Sequence, residues 1–72
     1  MRTILEVKNG YGKVTNERGN TFTVLKAEGL WNLSRKGKNE NVGCFVKENV
    51  KQLSTLQRFA DNHHYDIEIK EI

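Results

Sequence analysis

Along most of this 72-residue chain the apolar residues recur at every second position, and that period changes only once. Alternation at two residues builds a strand with one buried face, whereas spacings of three and four build a helix with one buried stripe. Many segments of the first kind and one of the second leave few ways to hide apolar surface. The strands must form a sheet, and the helix must cover one of its faces.

The alternating segments are TILEVK (3–8), YGKVT (11–15), TFTVLK (21–26), LWNLS (30–34), VGCFV (42–46) and YDIEIKEI (65–72). With no proline in the chain, glycine and asparagine supply the turns. Asn9-Gly10 is the strongest of these signals, because both central positions of a tight type I′ hairpin need positive φ. NERGN (16–20), Ala27-Glu28-Gly29 and RKGKNEN (35–41) mark the other breaks. Between residues 47 and 64 the period changes: Val50, Leu53, Leu56 and Ala60 form a helical stripe of about four turns, flanked by Phe59. On this reading Glu48 lies in the first helical turn, where a carboxylate suits the macrodipole, and Asp61-Asn62-His63-His64 is a polar exit.

The expected fold is therefore α+β: an antiparallel β-meander of four to five short strands, one amphipathic helix packed on one face, and a final C-terminal strand at the sheet edge, beside the first. One compact domain spans 1–72. Its expected core is Leu5, Val7, Val14, Phe22, Val24, Trp31, Leu33, Cys44, Val50, Leu53, Leu56, Ala60, Ile67 and Ile69. That uses most of the apolar residues and leaves little for a deep ligand pocket. A domain this small buries only about 60–65% of its unfolded surface, so a partner or a small homo-oligomer can add stability.

Several function classes are disfavoured. The single cysteine cannot form an internal disulfide, and an unpaired thiol fits a reducing compartment. No apolar run has membrane-spanning length and the opening MRTILEVKNG is no secretory signal, so a cytoplasmic protein without a membrane partner is expected. Cys44 alternates with Val42 and Val46, which points it toward the helix as a small hydrophobe rather than a nucleophile. His63-His64 lacks a second cluster of ligands, and histidine at a helix C-terminus is explained by the dipole. Gly10-Tyr11-Gly12 lacks the later glycine or Lys-Ser/Thr of a phosphate loop. No enzyme, cofactor or metal is expected.

Charge is distributed unevenly. Residues 1–47 hold nine Lys and Arg against four Asp and Glu, a net of +5, and residues 48–72 hold three against five, a net of −2. The meander is thus the positive part of the chain. Arg35, Lys36 and Lys38 surround Gly37 on a loop long enough to project, and Lys13 and Arg18 lie on the same meander. A cationic hairpin reaches phosphates, Asn32, Asn39 and Asn41 suit base edges, and Tyr11 or Trp31 can stack on an unpaired base if exposed.

The expectation is a small non-enzymatic binding module that contacts DNA or RNA through Arg35, Lys36, Lys38, Lys13, Arg18 and Asn39. Trp31 is an aromatic anchor if its side chain is not in the core. The alternative is a small inhibitor or modulator, like the short self-contained proteins of mobile elements, that docks on an acidic surface of a larger protein. It would use the 30–46 hairpin with Trp31 and Phe45 flanking its tip, or strand addition at YDIEIKEI. The charges of that last strand equally suit edge protection.

Overall fold

A computed structural model describes residues 2–72. Asn9 (φ 55°) and Gly10 (φ 79°) form the expected two-residue turn, with reciprocal hydrogen bonds from Lys8 N to Tyr11 O (2.9 Å) and from Tyr11 N to Lys8 O (3.1 Å). They join β1 (Thr3–Val7) to β2 (Tyr11–Thr15). After β2, Asn16 turns the chain by accepting the amides of Arg18 and Asn20 on its Oδ1, an Asx turn completed by Gly19 at φ 84°. Glu28 and Gly29, both at positive φ, then close a second tight hairpin between β3 (Thr21–Ala27) and β4 (Leu30–Lys36).

A longer tip, residues 37–43, leads from β4 into β5 (Cys44–Val50) and is closed by the Glu40 carboxylate on the Gly37 amide. Strands β2-β3-β4-β5 form a four-stranded antiparallel sheet in sequence order. The helix α1 (Leu53–Asn62) follows, and β6 (Ile67–Glu71) pairs in parallel with β1, Thr3 opposite Ile67 through Val7 opposite Glu71. The α+β architecture and the return of the last strand beside the first are as expected.

Nine apolar side chains among the described residues are buried: Leu5, Val7, Phe22, Val24, Trp31, Leu33, Leu56, Ala60 and Ile67. All belong to the core read from the sequence, and each large aliphatic among them contributes roughly 1.5–3 kcal/mol. Val14, Val50, Leu53 and Ile69 pack half-buried around them. Gly12 faces the same interior, where β1 folds over β2. A Cβ there would stand 2.3 Å from the Glu6 carbonyl oxygen and 2.8 Å from Leu5 Cδ2, so only glycine fits.

Two expectations fail in β5. Cys44 is exposed rather than buried: it pairs with Arg35 at the free sheet edge, where no element covers it, and Val42 lies exposed in the tip. The strand also runs to Val50, so Val50 and Glu48 are strand residues and the helix starts at Leu53 with no acid in its first turn. The cause is a bulge. Register shifts between Trp31 and Ser34 break the two-residue alternation of β5, and Asn49 sits at φ 59° with its amide donating to Asn32 Oδ1 (3.0 Å). A bulged strand loses its period, and Val50, three residues before Leu53, falls into the helical stripe by coincidence.

The helix exit is a Schellman motif. His64 is its left-handed residue (φ 56°), Tyr65 N donates to Ala60 O (3.0 Å) and His64 N to Asp61 O (3.2 Å). The accompanying apolar contact joins Tyr65 to Phe59, ring centroids 6.1 Å apart, and Tyr65 also packs on Phe22 at 4.9 Å. From the helix, Gln57 reaches β6: its Nε2 donates to Ile67 O (3.0 Å) and its Oε1 accepts Ile69 N (2.7 Å). That side chain occupies the backbone groups that strand addition would need, so β6 is a partly closed edge. No helix among the described residues is long and apolar enough to cross a membrane.

Candidate binding face

Because side chains alternate, the residues between the buried ones of β2, β3 and β4 form a second, outer face turned away from α1. Register aligns them in rows. Lys13, Thr23, Ser34 and Phe45 lie opposite one another across all four strands, Thr15, Thr21 and Lys36 form the next row, and Tyr11, Leu25 and Asn32 the row on the other side. A shallow depression of about 400 Å³ lies on this face, lined by Lys13, Thr21, Thr23, Ser34, Lys36, Gly43 and Phe45.

The chemistry of that lining is uniform. None of the described residues lining it is acidic, and neither Lys13 nor Lys36 joins an ion pair among the described residues. From strand spacings, the two lysines stand roughly 12 Å apart, two strands across and one side-chain step along. Thr21, Thr23 and Ser34 place hydroxyls between them, with Thr15 adjacent and 2.9 Å from Thr21, oxygen to oxygen. On this face Phe45 is 53% and Tyr11 50% exposed. Phe45 is the diagonal neighbour of Lys36, about 7–8 Å away.

The cations grouped by the sequence are divided by the fold. Arg35 and Lys36 are successive strand residues and take opposite faces: Lys36 joins the outer depression, and Arg35 a cleft at the helix exit. Lys38, Asn39 and Asn41 are exposed in the tip, with the aliphatic stem of Lys38 lying over Gly19. Arg18 is engaged internally, its Nη2 paired with the Asp66 carboxylate and donating to His64 O (3.1 Å). It ties the β2–β3 turn to the chain leaving the helix. Trp31 is 5% exposed and belongs to the core, with the Lys26 amine 5.3 Å from its ring centre. It is not available as a surface anchor.

Asn32 is likewise buried. Its Nδ2 donates to Leu25 O (3.3 Å) and Leu30 O (3.2 Å) while its Oδ1 holds the bulge at Asn49, so it secures the sheet rather than facing a ligand.

The residues that sequence reasoning passed over are the hydroxyls, Thr21, Thr23 and Ser34, and Phe45 as a sheet-face rather than a hairpin-tip residue. A signal for the threonines existed: once Phe22 and Val24 point inward, Thr21 and Thr23 must point outward. Nothing in the sequence shows that the outer face stays uncovered. No protein-family model matches this chain, and neither the curated proteins nor the solved structures contain a match to it.

Proposed function

We propose that this chain is a small non-enzymatic binding module that contacts nucleic acid through the outer face of its four-stranded sheet. The observation that supports this is the depression lined by Lys13, Lys36, three hydroxyl side chains and Phe45, without a carboxylate. Lysines without carboxylate partners neutralise phosphates and release counterions. Ser and Thr hydroxyls are suited to phosphate and sugar oxygens, which position a strand without reading its sequence. Exposed aromatic rings on a sheet provide platforms on which unpaired bases stack. The contact surface is therefore centred on the sheet face, with the tip residues Lys38 and Asn39 at its margin.

The test is fluorescence anisotropy of labelled single- and double-stranded DNA and RNA at several salt concentrations. Binding that weakens linearly on a log–log salt plot is expected, with single strands preferred. Lys13→Gln with Lys36→Gln should reduce the slope by about 1.5, since each phosphate contact contributes about 0.7–0.9. An unchanged slope would remove the sheet face from the binding surface. The second reading, docking on an acidic protein, draws on Val42, which is 75% exposed beside the cations of the tip. It becomes the better account if no nucleic acid binds even at low salt.

A further inference from the structure

We propose that the cleft at the helix exit, on the opposite side of the sheet from Lys36, is a binding site for a single phosphate group. The cleft has a volume of about 190 Å³ and is lined by Arg18, Asn20, Arg35, His63, His64 and Tyr65. Three elements converge there: the β2–β3 turn supplies Arg18 and Asn20, the end of β4 supplies Arg35, and the helix exit supplies the rest. Every lining side chain carries a hydrogen-bond donor or an ionisable nitrogen, and none is a carboxylate.

Arg35 is the centre of the site. Arg35 is half-buried as a residue, and its guanidinium pairs with no carboxylate among the described residues and makes one long, part-buried bond, Nη2 to Asn20 Oδ1 at 3.4 Å. A partly desolvated guanidinium with most of its donors unused is short of acceptors, and its planar fork matches the oxygens of a phosphate. Arg18 stands beside it. Its charge is shared with Asp66, but the bonds to Asp66 and His64 O use only Nη2 and leave its other N–H groups free.

Both histidines are exposed, and the ring of His63 is oriented by its neighbours. The His63 ring stacks on Phe59 with centroids 4.0 Å apart, and its Nδ1 lies 2.9 Å from Phe59 O. Nδ1 therefore donates to that carbonyl and leaves Nε2 as the ring atom free for a ligand. There it accepts a P–OH proton or, when protonated, donates to a phosphate oxygen. His63 and His64, the latter in the left-handed conformation, both line the cleft.

Size selects the ligand. Sites that enclose whole organic ligands span about 300–1,000 Å³, so this cleft suits one oxyanion group rather than an enclosed nucleotide. Inorganic phosphate and the terminal phosphate of a nucleic-acid strand share that chemistry. The site does not rest on the nucleic-acid function of the outer face, because Arg35 and Lys36 lie on different faces.

The test is a ¹H–¹⁵N NMR titration of the full chain at constant ionic strength. The probes are inorganic phosphate, a 5′-phosphorylated dinucleotide and the same dinucleotide without the phosphate. Saturable shifts confined to Asn20, Arg35 and His63–Tyr65 are expected with the first two. Arg35→Gln should weaken phosphate binding at least about tenfold, the loss of one charge-assisted contact. Arg35→Lys, which keeps the stem and the charge, should weaken it less. Both variants should melt close to the parent, and the Lys13→Gln, Lys36→Gln protein should bind phosphate normally.

A stronger response to the phosphorylated dinucleotide than to inorganic phosphate would support the site and identify a strand end as its source. Equal responses would support it and identify the free anion. Non-saturating shifts spread over all lysines and arginines, or undiminished binding by Arg35→Gln, would overturn the proposal. Loss of the salt slope in the outer-face double variant bears only on the nucleic-acid function.

Discussion

The two faces of the four-stranded sheet are made by the same strands from alternating residues, yet they obey different rules. Phe22, Val24, Trp31 and Leu33 pack inward with Leu56 and Ala60 and are all buried. Thr21, Thr23, Ser34 and Lys36 occupy the positions between them, and Phe45 stands 53% exposed among them. On the inner face shape decides which residue fits, because lost contacts and cavities are costly in a close-packed interior. On the outer face no packing partner constrains the choice. A half-exposed phenylalanine there buries only part of its ring and contributes less to folding than the buried residues of the inner face.

The sharpest break of this contrast is Leu33→Ala. Truncating a fully buried leucine should cost about 2–5 kcal/mol, a large share of the stability of so small a domain, read as a lowered urea midpoint. Gly12→Ala should follow at about 1–3 kcal/mol, because the new methyl meets the backbone of β1 rather than a movable side chain. A fall of less than 0.5 kcal/mol, on the order of a surface change, would mean that β1 does not cross β2 so closely.

Phe45→Ala inverts the pattern. Stability should change by less than about 1 kcal/mol, while affinity for single strands should fall by about 1–3 kcal/mol, the contribution of one base–aromatic stack. If instead it unfolds the protein and leaves affinity per folded molecule unchanged, Phe45 is a packing residue and the faces are not distinct. Cys44→Ser should be the smallest effect, within about 0.5 kcal/mol, because the thiol is exposed at the β5 edge. A thiol-reactive reagent should label the native protein without prior unfolding. Protection would place Cys44 with the inner face after all.

What could be read directly from the sequence was local. Asn9-Gly10 needs only its own two residues to specify a turn, and the alternation of TFTVLK and LWNLS assigns Phe22, Val24, Trp31 and Leu33 to one side whatever they pack against. Leu53, Leu56 and Ala60 likewise define a helix face by their spacing alone. The nine-residue core followed from these periods, as did the α+β class.

The candidate surface was only partly legible. Lys13 and Lys36 line the same outer depression, but their grouping with Arg35 and Arg18 did not survive folding. A charge count along the chain cannot tell a strand from a loop, and within a strand neighbours are sent to opposite faces. Arg18 found Asp66, 48 residues away, and Gln57 found the backbone of β6. The bulge at Asn49 depends on Asn32, 17 residues earlier. Each is a contact between segments whose meeting depends on how the sheet bends and where the helix lies. Periodicity is a property of neighbours in sequence and so is written in it. Partnership between distant residues exists only once the chain has closed, and there the tertiary structure alone decided which cations are free to meet a ligand.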